Sequence, residues 1–309
     1  MISPSSLIPV LSFLSYVAAQ DSTEQDPAGG RYGGPLGYIP TVAPAIVFFV
    51  MYVLIAGHGT WMSFRIPGKY MTTLVISGYF YAIGLILRLP YRSNSDSLVL
   101  FIVMNLFTVL SPCGFIATVY ILLGRLAHHL EAEDLLLIKP QLITKVYVCS
   151  DIATLLIQAA GGSLAVGKTQ QLADLSTKIF LAGLILQLIS FLSYCVVFGL
   201  FLYRLRTWRK PAWNEPMNKG VRFHWKGLVG AIIISCVGII VRCVYRTVEG
   251  SQGFHGYLLT HEVYFFVLDT LPLWFAVVIY TIIWPPAILT NLYDSKGHEM
   301  IAKESTGSV

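Results

Sequence analysis

Seven long stretches of this chain are almost free of charge, and polar segments of unequal length separate them. Their approximate limits are 41–64, 71–90, 97–124, 143–164, 178–203, 227–247 and 261–285. A bilayer core about 30 Å thick is crossed by about 20 apolar helical residues, so each stretch is long enough to span. Backbone groups inside hydrocarbon must pair within their own segment, which makes each stretch a helix. The predicted fold is all-α, a polytopic seven-transmembrane helix bundle over 41–285.

A shorter apolar run at 7–19, LIPVLSFLSYVAA, ends in small residues before Gln20. It is too short to span and reads as a signal peptide at 1–19, although no Lys or Arg precedes it; an uncleaved luminal tail is the alternative. Residues 20–40 are polar and rich in Gly and Pro, the composition of a flexible extracellular segment, with Pro40 and Pro44 where a helix can begin. Residues 286–309 read as a short polar cytoplasmic tail.

Basic residues set the expected orientation. The 204–226 connection holds Arg204, Arg206, Arg209, Lys210, Lys219, Arg222 and Lys226 against one acid, Glu215. Such a loop is retained in the cytoplasm. Arg65, Lys69, Arg125 and Lys139 then fall on the same side, with the amino terminus outside and the carboxyl terminus inside. The same loop could also meet anionic lipid of the inner leaflet.

Within this frame the polar residues of the spans are unevenly placed. An ionisable group at mid-membrane costs about 2.5–3.5 kcal/mol on insertion scales, so it must face protein, water or another such group. Asp151 and Gln158 lie seven apart on one face of the fourth span, and Gln187 lies in the fifth. Arg242, Arg246 and Glu249 align near the end of the sixth, and Glu262 and Asp269 open the seventh; Arg88 ends the second. Asp151 falls near the middle of the membrane and the rest in its outer half. The inner half is nearly bare apart from His58, which reads as an interfacial or packing residue. This asymmetry predicts a polar, partly charged cavity reachable from the external leaflet. Two readings of it stay open and are compatible: an ionic lock between spans six and seven, or a site for an amphipathic molecule whose head group meets the polar residues.

Proline and small residues refine the picture. Pro112 should kink the third span and free a backbone carbonyl, and Pro272 should do the same in the seventh near Asp269. Gly161-Gly162-Ser163 and Ala182-Gly183 predict a close approach of the fourth and fifth helices.

Composition excludes several classes. The chain is 55% hydrophobic and 12% charged, about half the charged fraction of soluble domains. A net charge of +5 spread over 309 residues is no nucleic-acid surface. The five cysteines lie in apolar runs without short-spaced pairs, which argues against a disulfide framework or a metal site. No H-E-x-x-H, P-loop or G-x-S-x-G occurs, so neither a catalytic residue nor a cofactor is expected, and the chain reads as no enzyme. An intramembrane enzyme using Asp151 and Asp269 is the weakest alternative.

The order of these motifs resembles a known family, the fungal lipid-translocating exporters, Rta-like seven-transmembrane proteins. The resemblance runs from Gly37-Tyr38-x-Pro40 through Leu110-Ser111-Pro112, Tyr120 and Gly124-Arg125, then Asp151 with Gln158-Ala-Ala-Gly161-Gly162, and Ala182-Gly183 with Gln187. Its most specific part is Arg242-Cys-Val-Tyr245-Arg246-Thr-Val-Glu249, Gly253-x-x-Gly256, His261-Glu262 and Asp269-Thr-Leu-Pro272. There are departures. Tyr81 stands where the family usually has Glu, Leu85 where it has an aromatic, Phe266 where it has Tyr, and Trp284 where it commonly has His. Arg88 thereby lacks its usual same-helix acid and is expected to pair elsewhere, with Glu262 a candidate.

The resemblance implies a plasma-membrane transporter or efflux protein for lipid-like amphiphiles such as sphingoid long-chain bases, with a role in stress and toxin resistance. Its expected partners are membrane lipids and an amphipathic small molecule; the sequence leaves oligomeric state open. The expected binding set is Asp151, Gln158, Gln187, Arg242, Arg246, Glu249, Glu262 and Asp269. In this set Glu262, Asp269 and Asp151 would receive a cationic head group, Arg242 and Arg246 would balance or gate them, and the two glutamines would orient the ligand. Replacing Asp269 with Asn should then abolish tolerance to sphingoid bases and leave surface abundance intact. The alternative is a seven-helix receptor or lipid-stress sensor, suggested by the external amino terminus and the basic third inner loop.

Overall fold

In the computed structural model the described residues are 40–94, 97–164, 170–209, 213, 224–252 and 257–289. The expected leader at 1–19, the segment 20–40 except Pro40, the tail beyond Leu289 and most of the basic 204–226 connection lie outside them.

Seven helical segments are long and apolar enough to cross a membrane: Val42–Arg65, Lys69–Ser93, Val99–His129, Pro140–Gly162, Leu175–Trp208, Trp225–Ser251 and Glu262–Leu289. No strand occurs among the described residues, and the chain is a multi-pass membrane protein. Each segment matches one predicted stretch, and most run further than drawn. The apolar pattern marks only the part that must be dry, whereas helical hydrogen bonding continues into the polar flanks.

The bundle is clad in apolar side chains. Leu54, Leu106, Leu156, Val196 and Val237 point outward and are 54–67% exposed. A water-soluble protein does not leave so continuous an apolar surface uncovered, whereas acyl chains cover it without cost. The interior is aromatic as well as aliphatic: Phe48, Tyr52, Tyr81, Tyr120, Phe191, Tyr194, Phe201, Phe266 and Tyr280 are buried.

Glycine sets the distance between neighbouring helices at several close approaches. A Cβ on Gly161 would lie 2.6 Å from the Phe180 backbone nitrogen, and one on Gly183 would lie 2.7 Å from Gln158 Cγ. These contacts bring the fourth span against the fifth, as the small residues predict. Gly162 faces open space and takes no part. On the other side of the bundle, a Cβ on Gly238 would lie 2.4 Å from the Pro272 carbonyl oxygen, so the sixth and seventh spans touch backbone to backbone. Ser235 fastens the same seam by donating to the Ala276 carbonyl at 2.6 Å.

Both internal prolines have consequences. The third helix runs unbroken from Leu98 to His129 through Pro112. Pro112 has no N–H to offer the carbonyl four residues earlier, that of Thr108. In the seventh span a π-helical turn, Phe265–Thr270, precedes the helix Leu271–Ile282 that contains Pro272. The wider turn presents Asp269 and Thr270 to the interior, where Tyr52 donates to the Thr270 carbonyl at 3.0 Å.

Candidate functional site

The expected polar residues are buried, apart from half-buried Gln187 and Arg246, and they form three groups rather than one. The largest joins spans two, three, six and seven around Asp269, whose side chain is fully buried. Arg242 and Arg246 lie one helical turn apart on one face of the sixth span, so both reach the same partner. Arg242 NH1 donates to Asp269 Oδ2. Arg246 forms a fork, with Nε to Oδ1 at 2.8 Å and NH2 to Oδ2 at 3.1 Å. Arg246 NH1 also reaches Glu249 Oε2 at 3.0 Å, and Tyr245 donates to Glu249 Oε1 at 3.1 Å. The remaining arm of Arg242 donates to the Thr108 carbonyl at 3.0 Å. That carbonyl is the one Pro112 leaves without its helical donor, so the proline creates an acceptor and the arginine fills it.

Tyr81, noted in the sequence as a departure, belongs to this group. Its hydroxyl donates to Asp269 Oδ2 at 3.2 Å and lies 3.1 Å from Thr270 Oγ1, which can donate to it in turn. The phenol thus provides a neutral hydrogen bond where a glutamate would add a further buried charge. Tyr81→Phe is expected to lower stability by about 1.5–3 kcal/mol, the range for a hydrogen bond to a charged group, read as a lower melting temperature in detergent.

The second group sits at the end of the bundle where the first span begins. Glu262 pairs with Arg88 at 3.3 Å and does not join Arg242 and Arg246, contrary to the single network of the ionic-lock reading. Its Oε2 accepts from the backbone N–H of Thr41 at 2.6 Å and from the Thr41 hydroxyl at 2.5 Å. Thr41 is the N-cap of the first helix, so a carboxylate from the seventh span satisfies a donor at the start of the first. Arg92 adds a bond to the Pro40 carbonyl at 2.9 Å. The two groups meet at Phe265, whose ring lies 4.0 Å from the Arg88 guanidinium carbon and 5.4 Å from that of Arg246.

The third group lies between spans three, four and five. Gln158 Nε2 donates to Gln187 Oε1 at 2.8 Å, and Gln187 Nε2 donates to Cys113 Sγ at 3.7 Å. Asp151, 3% exposed, is on the same face of the fourth span as Gln158. Among the described residues neither oxygen of its carboxylate has a hydrogen-bond partner, and none of the ion pairs includes it. The Tyr120 hydroxyl faces it without meeting hydrogen-bond geometry. Tyr120 packs in turn on Tyr147 and Tyr194, with centroids 5.2 Å and 4.6 Å away. The thiols of Cys113 and Cys243 are within electrostatic reach of both Asp151 and Arg242.

Charge counting separates these groups chemically. Among the described residues the belt contains three arginines, buried Arg88 and Arg242 and half-buried Arg246, and four buried acids, Asp151, Glu249, Glu262 and Asp269. Glu249, Glu262 and Asp269 are each bonded to arginine, and the surplus acid is Asp151. Asp269 and Glu262, both expected to receive a cationic head group, already hold cations, and a ligand would have to displace them. Asp151 alone among the four has no arginine to displace.

Sequence reading missed Thr41, Thr108 and Tyr245 as members of these groups. Thr108 was recoverable from the four-residue offset to Pro112. Thr41 was not, because a contact between residues 221 positions apart leaves no local signal. The five cysteines are free thiols. Trp284, in the position of the family's His, donates to the Ile66 carbonyl at 3.3 Å and is a packing residue at the opposite end of the bundle. Phe266 stacks on Phe48 at 5.3 Å.

Comparison with known proteins agrees with this architecture. The chain is 26% identical to Protein RTA1 of Saccharomyces cerevisiae over 294 residues, covering 87% of this chain and 89% of that one. It is 28% identical to Protoporphyrin uptake protein 1 of the same species, over 69% of this chain and 67% of the relative. It is 25% identical to the Sphingoid long-chain base transporter RSB1, over 81% and 72%. No solved structure matches. The family model described as RTA1 like protein matches residues 74–291, which include six of the seven spans nearly whole and the residues of all three polar groups except Pro40 and Thr41, and the chain belongs to the RTA1-like family.

Proposed function

We propose that this protein moves lipid-like amphiphiles across the membrane it spans, with sphingoid long-chain bases or related toxic compounds as its substrates. The observation that carries the reading is Asp151, a buried acid left over when every other acid of the belt is matched by arginine. A transporter for a cationic amphiphile needs one such unmatched charge within the bundle, and apolar surface along the path of the tail. The names of two relatives, a sphingoid long-chain base transporter and a protoporphyrin uptake protein, support movement of membrane-soluble compounds.

In this reading the belt of paired arginines is scaffold, and the head group is received at Asp151, with Gln158 and Gln187 orienting it. The protein works in the plasma membrane, with the amino terminus outside and the basic 204–226 connection in the cytoplasm. Its partners are membrane lipids and the amphiphile, with no nucleic acid, and its activity is transport rather than catalysis.

The test is reconstitution of the purified chain into vesicles loaded with a fluorescent long-chain base. Leaflet exchange well above that of protein-free vesicles is the expected result. Exchange no faster than in empty vesicles would reject transport, and ligand-dependent recruitment of a cytoplasmic protein in its place would identify a sensor.

A further inference from the structure

The groups around Asp151 have one property in common. Neither Asp151 oxygen nor Gln158 Oε1 meets a donor in hydrogen-bond geometry among the described residues, and the Tyr120 hydroxyl, which faces Asp151, is neutral and likewise outside bonding geometry. Buried polar atoms are almost always satisfied, so a cluster of unmet acceptors marks a place where a donor comes and goes. A carboxylate in such a place is stable only with a positive charge against it, and the three arginines of the belt are bonded to other acids.

Every neighbouring element bears this out. The third span presents Tyr120 and Cys113, a phenol and a thiol that cannot carry a positive charge. The fourth span adds Tyr147 one turn before Asp151, and the fifth adds Tyr194 and the amide of Gln187. The sixth presents Cys243, with Arg242 beyond it bonded to Asp269 and to the Thr108 carbonyl. The lysines of the fourth and fifth spans, Lys145 and Lys178, are exposed on their helices.

We infer that Asp151 is an exchange site for a single positive charge, holding a proton when no ligand is bound and the ammonium of the amphiphile when one is. The inference rests on the transport reading and adds its coupling. The ammonium arrives with its protons and keeps them. The carboxyl O–H breaks, its proton passes to water, and the carboxylate left behind accepts N–H bonds from the ammonium; no electrons are transferred. One proton therefore leaves the site for each amine that enters it. A proton gradient across the membrane then drives amine in the opposite direction, which supplies an energy source to a chain without a nucleotide motif. The aromatic rings of Tyr120, Tyr147 and Tyr194 form the adjoining wall, a surface that suits a cation as well as an alkyl chain.

The experiment uses the full chain in lipid nanodiscs in weakly buffered solution with a pH-indicator dye, titrated with an eighteen-carbon primary amine or with its N-acetyl derivative. At pH values where the free carboxyl is protonated, the expected result is release of about one proton per amine bound, none with the N-acetyl compound, and amine affinity rising about tenfold per pH unit until the free carboxyl ionises. Asp151→Asn is expected to bind the amine more weakly, with no proton release and no pH dependence. Amine binding by the wild type without proton release would overturn the inference, as would an unchanged pH dependence in Asp151→Asn. The wild-type proton count decides the matter even if the variant fails to assemble. In vesicles, amine exchange that ignores an imposed pH gradient removes this inference and leaves transport standing, whereas absence of any exchange removes both.

Discussion

Asp269→Asn is expected to leave little folded protein. The substitution preserves shape but removes the anion that two buried guanidinium groups share. The amide oxygen of the asparagine could still accept an arginine bond but carries no charge, so Arg242 would keep no anionic partner beside the Thr108 carbonyl, and Arg246 only Glu249. The network would pass from two cations and two anions to two cations and one anion. Breaking a buried pair by removing one partner costs about 3–5 kcal/mol, a large share of a typical domain stability of about 5–15 kcal/mol. The measurements are monodisperse yield after solubilisation and melting temperature in detergent, both well below wild type. This outcome differs from the sequence-based expectation of a well-expressed variant that loses only its tolerance to sphingoid bases, because that expectation treated Asp269 as an unoccupied ligand site.

A second substitution separates charge from shape. Arg242→Gln with Asp269→Asn restores equal numbers of cations and anions, and the glutamine amide can still donate to the carbonyl freed by Pro112. This double variant is expected to recover much of the lost stability. Arg246→Gln with Asp269→Asn should recover less, because it also strips Glu249 of its arginine. Equal recovery in both would show that net charge alone matters and that the bonding pattern does not. Asp151→Asn removes an acid that no cation balances, so its stability should equal or exceed that of wild type. Opposite stability effects from two aspartates in one bundle follow directly from their different partners.

Much of this was legible in the sequence. Seven apolar stretches gave the spans because the bilayer sets one length and every helix must meet it. The polar residues announced themselves by cost, since a charge in hydrocarbon is conspicuous wherever it falls. Spacings of four and three placed Arg242, Arg246 and Glu249 on one face, and the structure bonds Arg246 to Glu249 as that spacing allows. The suggested pairing of Arg88 with Glu262 also holds.

Partition among partners was not legible. Glu262 and Asp269 lie seven apart and read as neighbours on one face, yet they serve different arginines. The intervening π turn at Phe265–Thr270 changes the rotation between them, and no periodicity argument based on an α-helix anticipates an extra residue in one turn. The uncompensated state of Asp151 was equally hidden, because it follows from where three arginines on other helices go.

Gly238→Leu is expected to disrupt the same ionic centre from a distance. Gly238 lies one helical turn before Arg242, and Pro272 lies three residues after Asp269, so the seam they form sets the separation of the two charged partners. A Cβ at position 238 would fall 2.4 Å from the Pro272 carbonyl oxygen and 3.0 Å from Ala276 Cβ. The first obstacle is backbone, which no rotamer change can move, so the sixth and seventh spans must separate by about an ångström or more. Overpacking of this kind costs about 1–3 kcal/mol, occasionally more, and here the arginine–carboxylate bonds lengthen as well. Two controls follow from the geometry. Gly230, in the same helix, has nothing within 4 Å of a Cβ, so Gly230→Ala should melt at or above the wild-type temperature, while Gly238→Ala already melts below it. Ala276→Gly added to Gly238→Ala clears only the side-chain contact and leaves the carbonyl in place, so it should not restore stability. Restoration by that pair would mean that the helices are spaced by side chains, and that the glycine–carbonyl seam does not hold the arginines against Asp269.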